Sequence, residues 1–210
     1  MTYLLFDTET TGFPNKNISE HDNKQARCVQ LACILVDGKT WKEVASFYSI
    51  LSLDVDKEID SGAQNAHGIS KEMCDRFGIV PELAVDMFSE MYSLCDVVVA
   101  HNIRFDKSVV DIESAIRGYK HQWNKRELCT MDATTPLCKL TGKIPGKHKW
   151  PKLSEALSIL LDVPHINAHD ALADVRGCAK LLQYLIANKY VDSSLHVSGI
   201  EPAIDTVATS

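Results

Sequence analysis

Apolar positions first cluster in a short run, Tyr3-Leu4-Leu5-Phe6, which ends at two acids one residue apart, Asp7 and Glu9. This pattern predicts a strand from Thr2 to Glu9, closed by Gly12 and Pro14 and followed by a polar loop through Lys24. Cys28 to Val36 predicts a second strand ending at the turn pair Asp37-Gly38, and Val44 to Leu51 a third, giving an antiparallel meander. Asp54 to Ile69 reads as irregular. From Pro81 to Leu94 the period becomes helical, with Leu83, Met87, Met91 and Leu94 on one face. Asp96 to Ala100 is a short continuous apolar run of the buried-strand kind. Helices are predicted over Lys107–Arg117, Leu153–Leu161 and Ala171–Lys189, with a short strand over Leu128–Met131. Three strands followed by alternating helix and strand predict an α/β fold, a mixed central sheet flanked by helices. Residues 1–190 are expected to form one domain and 191–210, where periodicity fades, a flexible tail.

Composition narrows the classes. A chain of 210 residues, 45% hydrophobic and 24% charged, folds around one substantial core. No apolar run approaches the roughly 18 residues that span a bilayer, and no basic segment followed by an apolar one suggests secretion, so a cytoplasmic protein with no membrane partner is expected. Seven scattered cysteines without Cys-x-x-Cys spacing read as reduced thiols. The net charge of -6 argues against a polyanionic partner, unless acids bind divalent cations that reverse the local field.

Three acidic segments are the candidates for chemistry. On a strand, Asp7 and Glu9 point to one face roughly 7 Å apart, suiting a hard-cation site, an acid/base pair or a charged strand end. Asp106, in His101-Asn102-Ile103-Arg104-Phe105-Asp106, follows the buried strand, where α/β sheets carry site residues; it also suits the first turn of a helix. In His165-Ile166-Asn167-Ala168-His169-Asp170-Ala171-Leu172-Ala173-Asp174, Asp170 is placed to cap the last helix. Asp174, one turn in, is then the ligand and His169 the proton acceptor, with His165 a surface residue or an outer partner.

FDTETTG, HNIRFD and HDALAD, in that order, resemble the three motifs of the DEDDh-type 3′-5′ exonuclease family, which includes the proofreading epsilon subunit of bacterial DNA polymerase III. The resemblance spans roughly residues 2 to 190 and implies a ribonuclease H-like fold. It implies two divalent cations, Mg²⁺ or Mn²⁺, on Asp7, Glu9, Asp106 and Asp174, with His169 accepting a proton from the attacking water. It also implies release of 5′ nucleoside monophosphates from a single-stranded DNA 3′ end. Thr10 would lie near the terminal sugar, Ala66, His67 and Phe105 around the last nucleotide, and Asn102 near a phosphate. RNA is the alternative substrate, and a polymerase subunit a further partner. A docking module of a replication complex leaves the acidic cluster unexplained, and a glycosidase leaves Asp106, His169 and Asp174 without roles. Lys139, Lys143, Lys147, Lys149 and Lys152, with Trp150, form a basic segment that either is a solvated loop or tracks a strand; Arg117, Lys120, Lys125 and Arg126 form a weaker cluster.

Overall fold

The computed structural model describes residues 1–191. Strands β1 (Thr2–Thr10), β2 (Cys28–Asp37), β3 (Glu43–Ile50), β4 (Val97–Ala100) and β5 (Arg126–Cys129) form one sheet in the order β3-β2-β1-β4-β5. The first three are antiparallel, as the meander predicts, whereas β4 runs parallel to β1 and β5 parallel to β4. Helices among the described residues are α1 (Ser61–His67), α2 (Lys71–Phe77), α3 (Pro81–Ser93), α4 (Ile103–Ile116), α5 (Thr130–Cys138), α6 (Leu153–Leu161) and α7 (Ala171–Ala187).

Both faces of the sheet are covered over β1, β2 and β4, which explains why β1 is apolar without alternation, while the edge strand β3 is largely exposed. Leu4 and Phe6 pack with Phe88 and Met91 of α3 and Val109 of α4. Tyr3 and Leu5 face the other way, onto Val175, Cys178 and Leu182 of α7. Burying each such side chain contributes about 1.5–3 kcal/mol.

The partial pairing of β1 positions the site. β4 pairs with β1 only over Tyr3–Leu5, then ends at Ala100. Past Phe6 the β4 side of β1 has no strand partner, and the N-terminus of α4 occupies that opening. Asn102, in the left-handed conformation (φ 80°), turns the chain from β4 into α4.

A buried ion network fixes α4 against β2. Glu113 accepts from Arg27 Nε at 3.0 Å, Arg27 Nη2 at 3.1 Å, Arg117 Nη1 at 2.6 Å and the Cys28 N–H at 2.8 Å. Removing one partner strands the other charges in a low-dielectric interior. Glu113→Ala is therefore expected to destabilise the domain by about 3–5 kcal/mol, read as a lower urea midpoint. Arg117 belongs to this network, so the weaker basic cluster expected around it loses that member as a phosphate contact.

Three further expectations change. The Asp54–Ile69 segment contains α1, and α2 follows it; both are seven residues long, and α1 buries no side chain, so neither leaves an apolar period. α5 follows β5 directly, where the sequence shows β-branched residues and Pro136; the Thr134 and Thr135 hydroxyls donate back to the Thr130 and Met131 carbonyls. On α3 the inward face is Ala84, Val85, Phe88, Met91 and Tyr92, while Leu83, Met87 and Leu94 are exposed. Val191 is buried, and the rest of the expected tail lies outside the described residues.

Candidate active site

The sheet and two helix N-termini bring the acids together. Asp7 and Glu9 continue the Tyr3/Leu5 face of β1 toward α7. Thr8 alternates to the other side, and its N–H and hydroxyl, at 3.0 and 2.9 Å, both donate to Asp106 Oδ1 in the first turn of α4. That N–H is available because β4 has already ended. Asp106 is 2% exposed.

α7 supplies the rest. Asp170 is its N-cap: Oδ1 accepts from the Ala173 N–H at 3.0 Å and Oδ2 from the Tyr48 hydroxyl at 3.1 Å. Gln30 braces this cap, accepting from the Ala171 N–H at 2.9 Å and donating to the Tyr48 oxygen at 2.9 Å. The Asp170 oxygens are thereby occupied. Asp174, one turn later, accepts from His165 Nε2–H. Exposed His169 takes a left-handed conformation (φ 69°), and potential ligand atoms of Glu9, His169 and Asp174 lie within 4.8 Å of one another. The charges of Asp7 and Asp106 act on one another and together with that of Asp174.

The electrostatics are those of an unneutralised acid cluster. Burial raises the Asp7 carboxyl well above its usual range, and Asp106, Asp174, Glu9 and Asp170 add to the rise. Glu9 is pushed up to about 8, by burial first and then by Asp174, Asp106 and Asp170. Asp106 rises to about 7 by burial, against the two Thr8 hydrogen bonds that favour its charged form. No comparable hydrogen bond offsets the rise at Asp7 or Glu9 among the described residues. An all-oxygen donor set carrying excess negative charge fits a hard divalent cation.

The remaining sequence-predicted residues surround this cluster, with different freedom to act. His67 has both nitrogens engaged: Nδ1 accepts from the Ile69 N–H at 3.0 Å, so Nε2–H donates to the Thr10 carbonyl at 3.2 Å. The buried Thr10 hydroxyl donates to the Gly12 carbonyl at 2.6 Å. Ala66 is exposed on α1, and the Asn102 side chain makes no cap bond to α4. Phe105 meets Phe13 edge-on, centroids 6.2 Å apart, and Phe13 is 89% exposed. Phe13 was not singled out from the sequence; an aromatic ring just after a strand-ending glycine was the available signal. His101 was also missed as an anchor: its Nε2–H donates to the Pro151 carbonyl at 3.0 Å, and its Nδ1 accepts from the Thr130 hydroxyl at 3.0 Å. That ties the basic segment to the end of β4.

Comparison with known proteins gives the family and the fold. The family model described as exonuclease, of RNase T type, matches residues 4–182. The chain belongs to the exonuclease family. Its domain has the ribonuclease H-like fold. No curated protein sequence matches this exonuclease domain significantly. Among solved structures, Escherichia coli exonuclease I in complex with a dT13 oligonucleotide aligns with TM-score 0.71 at 18% identity, over 88% of this chain and 40% of that one. The zinc-bound form of the E. coli exonuclease I complex with single-stranded DNA gives TM-score 0.71 at 19% identity, over 90% and 41%. Exonuclease I from Methylocaldum szegediense gives 0.67 at 21%, over 88% and 40%. The exonuclease domain therefore spans about 40% of the length of these structural relatives. Among the described residues no helix is long and apolar enough to cross a membrane, and all seven cysteines are free thiols.

Proposed function

We propose that this exonuclease domain hydrolyses phosphodiester bonds from the 3′ end of single-stranded or frayed DNA and releases 5′ nucleoside monophosphates. The observation that carries the reading is convergence: Asp7, Glu9, Asp106 and Asp174, from three segments far apart in sequence, share one end of the sheet with His169. The four carboxylates would hold two divalent cations, Mg²⁺ or Mn²⁺. Bound there, the ions supply Lewis acidity to the phosphodiester and to the attacking water.

The chain's own groups do the rest. His169 takes the water proton on a ring nitrogen, from an exposed position beside Glu9 and Asp174. Thr8 holds Asp106 in one orientation through two hydrogen bonds. Phe105, Phe13 and Ala66 present apolar surface to the terminal base, and stacking there is indifferent to base identity. His67 and Thr10, with their polar atoms engaged, shape the terminal-nucleotide pocket, and Asn102 offers an amide to a phosphate.

The substrate strand would run along the exposed basic segment. Lys139, Lys143, Lys147 and Lys152 face solvent, whereas Lys149 pairs with Glu155 at 2.7 Å. The Arg104 guanidinium lies 5.8 Å from the centre of the exposed Trp150 ring. If a few of these cations meet phosphates, kcat/KM should fall roughly tenfold between 50 and 200 mM salt. A flat salt response would return the segment to a solvated loop.

DNA is preferred as substrate because the aligned exonuclease I complexes hold DNA oligonucleotides. The test uses 5′-labelled DNA and RNA of one sequence, with Mg²⁺ and then with chelator. Stepwise shortening of DNA that stops in chelator is expected. Faster digestion of RNA would make the domain an exoribonuclease, and unchanged digestion in chelator would remove the cations from the account. The proofreading role implied by the epsilon-subunit resemblance requires a polymerase that binds this chain, and co-elution with one is its separate test.

A further inference from the structure

The segment 162–170 carries two histidines in opposite settings. His169 is exposed, whereas the His165 side chain is 6% exposed and its Nε2–H donates to Asp174 Oδ1. Among the described residues no other group donates a hydrogen bond to the Asp174 carboxylate. The imidazole occupies a notch left by a missing side chain. A Cβ on Gly177 would lie 3.2 Å from His165 Cε1 and 3.0 Å from Leu157 Cδ1. Gly177 is one turn beyond Asp174 on α7, so the ring rests on the same helix face that carries the carboxylate.

We propose that His165 is a positioning residue for the cation site. Asp174 sits among like charges that act on Glu9 and Asp7, and an unrestrained carboxylate would rotate away from them. The bond from His165 fixes Oδ1, which leaves the other oxygen as the ligand atom. The same bond anchors the loop four residues before His169. A wedged imidazole sets direction as well as a bond, which a flexible lysine would not.

The inference rests on the reading of Asp174 as a cation ligand, and the experiment separates the two. Mn²⁺ affinity is measured by calorimetry for the wild-type chain, His165→Leu, His165→Gln and His165→Asn, with thermal unfolding of each in chelator and KM for single-stranded DNA. His165→Leu is expected to weaken Mn²⁺ binding roughly 10- to 100-fold with KM for DNA unchanged. Glutamine, whose side-chain N–H reaches where Nε2 does, is expected to recover most of the affinity, and the shorter asparagine is not. A folded His165→Leu chain that binds Mn²⁺ as tightly as wild type overturns the proposal. If His165→Leu fails to fold, equal affinities for the glutamine and asparagine variants overturn it. A wild-type chain that binds no Mn²⁺ overturns the functional reading itself, and this one with it.

Discussion

Asp7→Asn is expected to abolish hydrolysis and, in chelator at pH 8, to make the folded domain more stable than wild type. The loss in rate should be roughly 10³-fold or more, equivalent to about 4 kcal/mol of transition-state stabilisation removed with a cation ligand. The gain in stability has the same origin. Burial and four neighbouring carboxylates raise Asp7, and among the described residues no hydrogen bond compensates, so its charge is costly in the metal-free fold. Asparagine keeps the shape and removes the charge.

The pH dependence follows with a definite sign. Asp7, Glu9 and Asp106 have folded-state values raised above the unfolded range near 4, Glu9 to about 8 and Asp106 to about 7. Between about pH 4 and 8 the folded state keeps protons that the unfolded chain has released. In chelator, these three groups therefore lower stability progressively as pH rises through that window. Asp7→Asn should show a shallower decline, and a midpoint at pH 8 several degrees above wild type if about 2 kcal/mol is relieved. Mg²⁺ should raise the wild-type midpoint and leave the variant nearly unmoved. An Asp7→Asn chain less stable than wild type in chelator would contradict the electrostatic description.

His169→Ala is the second large effect, expected to lower kcat by roughly 10² to 10⁴ with KM for DNA little changed. Because His169 lies within 4.8 Å of both Glu9 and Asp174, it has the reach of a ligand as well as of a base. Two measurements distinguish the roles. As a base, its loss leaves Mn²⁺ affinity near wild type, and the deficit narrows at high pH as solvent hydroxide substitutes. As a ligand, its loss weakens Mn²⁺ binding, and the deficit does not narrow with pH. The exposed position of His169 favours the base, since a group that must move a proton gains from being exposed.

Much of this arrangement is legible in the sequence because it depends on local rules. The Tyr3–Phe6 run, the Cys28–Val36 run and the Asp96–Ala100 run appear as strands because a sheet covered on both faces needs continuous apolar segments. Asp170 as cap and Asp174 one turn in follow from where a helix can begin. What the sequence hid depends on tertiary choice. On α3 two apolar stripes compete, and the bulk of Phe88 and Tyr92 beside small Ala84 decides the inward one. The Thr8 bonds to Asp106 exist because β4 stops short, which no spacing in either segment announces. The choice between a surface and an outer-partner role for His165, and Phe13 altogether, escaped for a related reason. The first depends on the space above Gly177, and the second on a distant Phe105 reaching the same rim.

The most direct test of the central claim is anomalous scattering from a crystal of the wild-type domain grown or soaked with Mn²⁺. Two peaks about 2 Å from oxygens of Asp7, Glu9, Asp106 and Asp174 are predicted. Saturating Mn²⁺ with no peak at this end of the sheet, or a peak bound only by other residues, would contradict the account.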